Sequence, residues 1–196
     1  MPFGVPRIPK GSDPTFRRHE EEFYDVLYNH RVLFLFHDIN IENANNLITL
    51  LLHLNAEDLV YYDYFTLTIN SAGGSLAGGL GLYNAMQYVY PGVQTLCAGM
   101  AASMASLILA GGTSSKRFAF PHARVMMHQP HAKFLENSPG RIADDVQELG
   151  KLWYEVVKLY VQKTGQPFHI ILENVQRDFF LSATEAKTHG IIDGIL

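Results

Sequence analysis

Short apolar segments typical of buried strands alternate along this chain with segments whose apolar residues recur at helical spacing. Strands and helices that alternate in this way favour a domain in which parallel strands are joined by helical crossovers. The predicted strands are 32–36, 66–70, 93–98, 117–120 and 123–127, and the predicted helices are 41–54, 76–90 and 104–110. At 196 residues, 47% of them hydrophobic, the chain can bury one sizeable core. We therefore expect one α/β domain with a largely parallel sheet.

The charge balance and the cysteine content exclude several classes of protein. The net charge is −4 and there is no basic run, which argues against a nucleic-acid partner. Cys97 is the only cysteine, so a disulfide framework is excluded and a reducing compartment is expected. It lies in an apolar strand, where a small buried side chain is the simplest interpretation. No apolar run reaches roughly 18 residues, so we expect no membrane span.

A serine lies among small residues where a predicted strand meets a predicted helix. Residues 99–104 are Gly-Met-Ala-Ala-Ser-Met, which places Ser103 on a strand-to-helix turn. The backbone N–H of Met104 is then an unsatisfied donor at a helix N-terminus. A nucleophile beside such a donor is what acyl transfer needs. The alternative is a small-residue helix start packed closely against a strand, and Ser106, one turn further on, should point into helix packing.

Three other features, a glycine pair, a histidine and an aspartate, indicate a function only in combination. Gly73 and Gly74 follow a predicted strand, and paired glycines let the backbone approach a ligand and direct N–H groups toward it. His128 ends an apolar strand, so its ring can extend beyond the sheet. Asp178 precedes an aromatic pair. Taken singly, each is equally consistent with an ordinary turn, histidine or aspartate.

Together and in this order, these segments resemble the proteolytic subunits of the Clp (caseinolytic) proteases, from about Val32 to the C-terminus. The Ala-Ala-Ser-Met and Met-His-Gln-Pro segments stand as that family has them. The resemblance implies a crotonase-like fold of repeated β-β-α units and a serine endopeptidase with a Ser-His-Asp triad. Ser103 would be the nucleophile, His128 the general base and Asp178 the orienting acid. The N–H groups of Gly74 and Met104 would form the oxyanion hole.

The same resemblance implies partners and a location. The subunits would form stacked heptameric rings that hydrolyse unfolded proteins. A partner AAA+ ATPase would use ATP, and this chain would need no cofactor. Residues 1–16 would be a flexible axial segment and 17–196 the protease domain. The opening Met-Pro-Phe-Gly-Val-Pro resembles chloroplast-encoded members and implies the chloroplast stroma, with the bacterial cytoplasm as the alternative.

The segment from Pro139 to Lys163 predicts one long helix, about 37 Å at 1.5 Å per residue. A helix of this length on a small domain favours projection toward another subunit, although its apolar stripe could pack on its own domain. In the resembled family this element is the handle that joins two rings. The apolar stripe consists of Ile142, Val146, Leu149, Trp153, Val156 and Tyr160. Near the C-terminus, residues 182–185 predict a capping box that starts a short helix ending at Gly190.

The N-terminal part of the sequence predicts little regular structure. Several prolines and glycines make the first fourteen residues poor in regular structure, and residues 16–28 could form an early helix.

His128 and His131 have a spacing found in metal sites, but Pro130 between them breaks the helix that would align two ligands. We therefore expect no metal site.

The chain departs from the family pattern at several positions. Ala72 replaces a proline, which should loosen the turn that carries one oxyanion donor. Thr66 and Thr68 replace aromatic residues of the pocket in which the ATPase docks, although Tyr88 keeps an aromatic side chain there. His131-Ala132-Lys133 replace glycines that usually form a strand along the substrate channel.

These departures leave two alternatives open. One is a structural ring subunit with weak or no activity of its own. The other is a crotonase-type acyl-CoA enzyme, in which the Gly74 and Met104 amides would hold a thioester enolate. That second alternative leaves Ser103, His128 and Asp178 without a joint purpose.

Overall fold

A computed structural model of the chain describes residues 7–9, 20–22, 27, 30–57, 64–129 and 139–196, with only the backbone for 7–9, 20–22, 57 and 139–145. The strands are β1 (Arg7–Pro9), β2 (Glu20–Glu22), β3 (Val32–Leu35), β4 (Phe65–Ser71), β5 (Val93–Ala102), β6 (Arg117–Ala119), β7 (Arg124–Met127), β8 (Phe179–Ser182) and β9 (Gly194–Ile195). The helices are α1 (Ile41–Glu57), α2 (Leu76–Tyr88), α3 (Met104–Ala110), α4 (Pro139–Thr164), α5 (Phe168–Val175) and α6 (Ala183–His189).

Seven of these strands form one sheet in the order β3-β4-β5-β6-β9, with β7 paired to both β5 and β8. Every pair in this sheet is parallel except β7 with β8. Residues 95–97 of β5 pair with β6, and residues 100–102 pair with β7. The predicted α/β class with a largely parallel sheet is therefore confirmed.

The core lies where the sheet meets the helices. In β4, alternate residues Phe65, Leu67 and Ile69 are fully buried, as expected when one face of a strand lies against the core. All seven residues of α3 are buried, because this helix contacts β5 on one side and α2 and α4 on others. The helix that follows Ser103 is thus held inside the domain rather than on its surface.

Several predicted boundaries are wrong in informative ways. The strand predicted over 93–98 continues to Ala102, because its last three residues find a second partner in β7. Regular structure also occurs in the first fourteen residues, where Arg7–Pro9 pair antiparallel with Glu20–Glu22. The strand β2 lies within residues 16–28 and contradicts the predicted early helix at residues 20–22. Pro9 is tolerated in β1 because β1 has only one neighbouring strand in its sheet.

A buried arginine joins the end of the long helix to the body of the domain. Arg117 donates to both carboxylate oxygens of Asp193, at 2.8 and 2.6 Å, and to the carbonyls of Lys163 and Gly190, each at 2.9 Å. Partial burial opposes ionisation of Asp193, but the Arg117 hydrogen bonds outweigh it and lower the pKa of that carboxyl. The C-terminal ends of α4 and α6 are therefore fixed to β6.

Candidate active site

Ser103 lies at the tight turn between β5 and α3. Its backbone has φ of +54° and ψ of −128°, a strained conformation for a residue with a side chain. Such strain costs on the order of 1–3 kcal/mol and persists only where the surroundings hold it. The Ser103 N–H donates to the Met126 carbonyl at 2.8 Å, which anchors the turn to β7. A serine on a strained strand-to-helix turn presents its hydroxyl to the space beyond the sheet, as nucleophilic serines do in hydrolases.

His128 and Asp178 are brought together by the antiparallel pair β7 and β8. Met127 lies opposite Phe179 in this register, so the next residues along, His128 and Asp178, face each other just past the ends of the strands. The Gln129 N–H donates to the Val175 carbonyl at 2.8 Å and ties this edge to α5. The two side chains are thus positioned by strand pairing, although 50 residues separate them in sequence.

The three predicted catalytic side chains form one hydrogen-bonded chain. His128 Nε2 lies 2.9 Å from Ser103 Oγ, and His128 Nδ1 lies 3.1 Å from Asp178 Oδ1. A carboxylate only accepts hydrogen bonds, so Nδ1 carries the proton of a neutral His128 and Nε2 accepts from the serine hydroxyl. The histidine side chain is 17% exposed and the aspartate side chain 58%. This arrangement gives Ser103 an adjacent base held in the correct tautomer.

The loop that carries Gly73 and Gly74, here called the glycine loop, lies against the turn at Ser103, here called the serine turn. Gly73 has φ of +89°, and a Cβ there would collide with the Ala102 carbonyl and lie 2.7 Å from Ser103 Cβ and 3.0 Å from Met104 N. The Ile39 N–H donates to the Gly73 carbonyl, and the Ile39 carbonyl accepts from the Ser75 N–H. Neither of these hydrogen bonds uses the Gly74 N–H. The Gly74 and Met104 N–H groups therefore lie on two segments in direct contact beside the nucleophile, as an oxyanion hole requires.

The Ser71 hydroxyl anchors the glycine loop through two hydrogen bonds. Its hydroxyl donates to the His37 carbonyl at 2.7 Å and accepts from the Gly73 N–H at 3.1 Å. This anchor does not depend on the residue at position 72, where Ala72 was expected to loosen the turn. The role of Ser71 was not predicted from the sequence, although its place at the end of β4, close before the paired glycines, is a signal for it.

A cleft of about 490 Å³ opens beside the triad. Its lining includes Ser103, Met104, His128 and Gly74, together with residues of α4. The α4 residues that line it are Leu149, Trp153, Val156 and Tyr160. An apolar lining beside a serine hydroxyl and backbone N–H groups gives room for an extended acyl substrate with nonpolar side chains.

The alternative that the apolar stripe of α4 packs on its own domain holds for the C-terminal part of the stripe, which corrects the expectation that the helix projects toward another subunit. Val156 and Tyr160 are buried in the core of this domain, and Leu149 and Trp153 line the cleft. Toward the N-terminal end, Val146 is 50% exposed. Every described side chain from 146 to 155 is at least partly exposed, so the first part of α4 contributes no fully buried residue to the core. Ile142 lies outside the residues whose side chains are described.

Comparison with known proteins places this site in a family. The Clp protease family model matches residues 17–196. The chain belongs to the Clp protease family. It is 47% identical to the ATP-dependent Clp protease proteolytic subunit of Vitis vinifera, over 98% of this chain and 97% of that protein. Proteins of the same description from Acorus calamus and Panax ginseng are each 46% identical, over 98% of this chain and 95% and 97% of theirs.

Membership in the Clp protease family confirms the resemblance, and the mixed α/β architecture with its mostly parallel sheet fits that family. The positions that depart from the family pattern are partly visible. Thr66 and Thr68 are half-buried on β4, whereas the Tyr88 side chain is 74% exposed at the end of α2. Residues 131–133 lie outside the described part of the chain.

Other predicted features can be compared with the described residues. The thiol of Cys97 is buried, which raises its pKa to about 12 and leaves it unreactive. Ser106 is fully buried, as predicted for a residue pointing into helix packing. Within the described ranges there is no group of three or more potential metal-binding side chains and no helix long and apolar enough to span a membrane.

Proposed function

We propose that this chain is an active proteolytic subunit of an ATP-dependent Clp protease, with Ser103 as the nucleophile. The observation that carries the proposal is the continuous hydrogen-bonded chain from Ser103 Oγ through His128 to Asp178, beside the Gly74 and Met104 amides. The family relatives are described as proteolytic subunits, which agrees with a serine-type endopeptidase.

The geometry supports the following sequence of proton transfers. Ser103 Oγ attacks the carbonyl carbon of a peptide bond while His128 Nε2 takes its proton, and Asp178 stabilises the imidazolium formed. The N–H groups of Gly74 and Met104 face the tetrahedral oxyanion, each contributing on the order of 3 kcal/mol to lowering the barrier. His128 then gives the proton to the leaving amine. Water hydrolyses the acyl-enzyme by the same steps, with His128 again acting as the base.

Labelling with a serine-reactive fluorophosphonate tests this activity directly. We expect one adduct, on Ser103, located by mass spectrometry of the labelled peptide. The His128→Ala variant should label far more slowly, because Ser103 then has no base to accept its proton. An unlabelled Ser103 in the assembled complex would instead favour the structural-subunit or acyl-CoA alternatives. Ser106, buried and two residues beyond Met104, serves as an internal control that should remain unlabelled.

We further propose that the chain works inside stacked rings, supplied with unfolded protein by a Clp ATPase that uses the ATP. The cleft has no inserted lid among the described residues, so enclosure in a chamber is the available means of restricting access. The relatives are described as subunits of an ATP-dependent protease, and their plant sources support a plastid protein. The chloroplast stroma is the compartment we propose.

The exposed end of α4 provides a test of the ring-to-ring contact. We expect Val146→Asp to yield single rings or smaller species, because the charge would be buried without a partner in the assembled complex. Gln147→Asp places the same charge on the neighbouring exposed position and should leave the assembly intact. Analytical ultracentrifugation distinguishes the species. Sedimentation of Val146→Asp as the full complex would show that α4 does not join the rings through this face.

A further inference from the structure

Two hydrogen-bond donors of Ser106 converge on the carbonyl oxygen of Ser103. They are the Ser106 N–H at 3.0 Å and the Ser106 hydroxyl at 2.6 Å, and the Tyr160 hydroxyl oxygen lies 3.4 Å from the same carbonyl oxygen. Ser106 is fully buried in α3, and Tyr160, from α4, is 3% exposed. A buried serine hydroxyl therefore holds the backbone carbonyl of Ser103, with a second buried hydroxyl from another helix beside it.

The direction of these hydrogen bonds follows from the chemistry of the groups. A carbonyl oxygen only accepts, so the single proton of the Ser106 hydroxyl is donated to Ser103. The Tyr160 hydroxyl, 2.7 Å from Ser106 Oγ, must then be the donor in that contact. Burial raises the pKa of Tyr160, which keeps the phenol protonated. The result is an ordered chain from the tyrosine through the serine hydroxyl to the Ser103 carbonyl.

This carbonyl belongs to the same planar peptide unit as the Met104 N–H. In a trans peptide the C=O and N–H bonds point in opposite directions, so a restraint on one orients the other. The ψ angle of Ser103 sets the orientation of that plane, and the residue is in a strained conformation that needs external support. Hydrogen bonds to a carbonyl also polarise the N–H of the same amide.

We infer that Ser106 and Tyr160 are positioning residues that aim the Met104 N–H of the oxyanion hole at the developing oxyanion. The inference rests on the proposed peptidase function. The hydroxyl pair acts through the Ser103–Met104 peptide, because its hydrogen bonds reach the carbonyl side of that peptide rather than the reacting atoms. It links the buried part of α4 to the catalytic geometry, so the helix has a second role besides lining the cleft.

Two conservative variants test this role in assembled complexes whose active serines come only from this subunit. We expect Tyr160→Phe to lower kcat about tenfold and Ser106→Ala about thirtyfold, less than the roughly 10²–10³ lost with an entire oxyanion donor. The KM should change by less than about twofold, because the donor acts in the transition state. Affinity for a peptide boronate, whose Ser103 adduct places an oxygen in the oxyanion hole, should fall by the same factor as kcat/KM.

Val157→Ala is the matched control, because Val157 is also buried on α4 but contributes no polar group. It should lower the thermal unfolding temperature while kcat and boronate affinity stay at the wild-type values. The inference is overturned if Tyr160→Phe and Ser106→Ala keep both values, or lose only thermal stability as Val157→Ala does. A wild-type complex that neither hydrolyses peptides nor binds the boronate would overturn the proposed function, and this inference with it.

Discussion

Replacement of Ser103 by alanine should abolish peptide hydrolysis by assembled complexes in which this subunit supplies the only active sites. The Ser103 hydroxyl lines the cleft and lies 2.9 Å from His128 Nε2, so it has an adjacent base to accept its proton. Loss of such a serine lowers kcat by on the order of 10⁶-fold in a triad hydrolase. The measurement is turnover of a fluorogenic peptide, with assembly checked by sedimentation. Undiminished turnover by the Ser103→Ala complex would exclude Ser103 as the nucleophile.

The triad variants should also be non-additive. His128→Ala removes the base and Asp178→Asn removes the carboxylate that fixes the imidazole tautomer, so both act on the step that Ser103 performs. Combining either with Ser103→Ala should give no further loss, because the three side chains work as one unit. A double variant far less active than Ser103→Ala alone would mean that the histidine or aspartate has a separate role.

Much of this fold is predictable because the responsible interactions are local. The apolar run of β4, the helix that starts at Met104 and the capping box at Ser182 all depend on residues a few positions apart. In that box the Ser182 hydroxyl accepts from the Glu185 N–H, and the Glu185 carboxylate accepts from the Ser182 N–H at 2.8 Å. Local rules therefore give the element order between residues 32 and 127 with few errors.

The elements that were not predicted include the helix α5 and the strand β8. The helix α5 carried a local signal, since Phe168, Ile171 and Val175 have helical spacing after Pro167. The four-residue strand β8 has no such signal and forms because β7 offers it an antiparallel edge. This pairing is what places Asp178 opposite His128. The motifs therefore predicted Ser103, His128 and Asp178 as a triad, whereas the strand pairing that brings their side chains within hydrogen-bond distance required the complete sheet.

The apolar stripe of α4 shows a different limit of sequence reasoning. Helical spacing identifies which residues share a face, but it cannot tell what covers that face. In the folded chain, Val156 and Tyr160 contribute to the core, Trp153 lines the cleft and Val146 is half-exposed. The apolar stripe thus contributes to core packing, to the cleft lining and to an exposed surface at successive positions along the helix.

The glycine loop should be the second most sensitive part of the site. We expect Gly73→Ala to lower kcat on the order of 10²–10³-fold, as loss of an oxyanion donor does. The added Cβ would collide with the Ala102 carbonyl and lie 2.7 Å from Ser103 Cβ, so the loop and the serine turn would have to separate. That separation would move the Gly74 N–H away from the nucleophile. Peptide turnover and the thermal unfolding temperature should be measured on the same assembled variant.

Gly165→Ala provides the matched control for backbone strain. Gly165 has φ of +73°, comparable to the +89° of Gly73, but a Cβ there would have no neighbour within 4 Å. Both substitutions force a side chain into a left-handed conformation, at a cost of about 1–3 kcal/mol each, and both should lower the unfolding temperature, Gly73→Ala by more because its Cβ also collides with the Ala102 carbonyl. Only Gly73→Ala should also lose turnover. Equal turnover by the two variants would show that contact between the glycine loop and the Ser103 turn is not required for catalysis, and would remove the Gly74 N–H from the oxyanion hole.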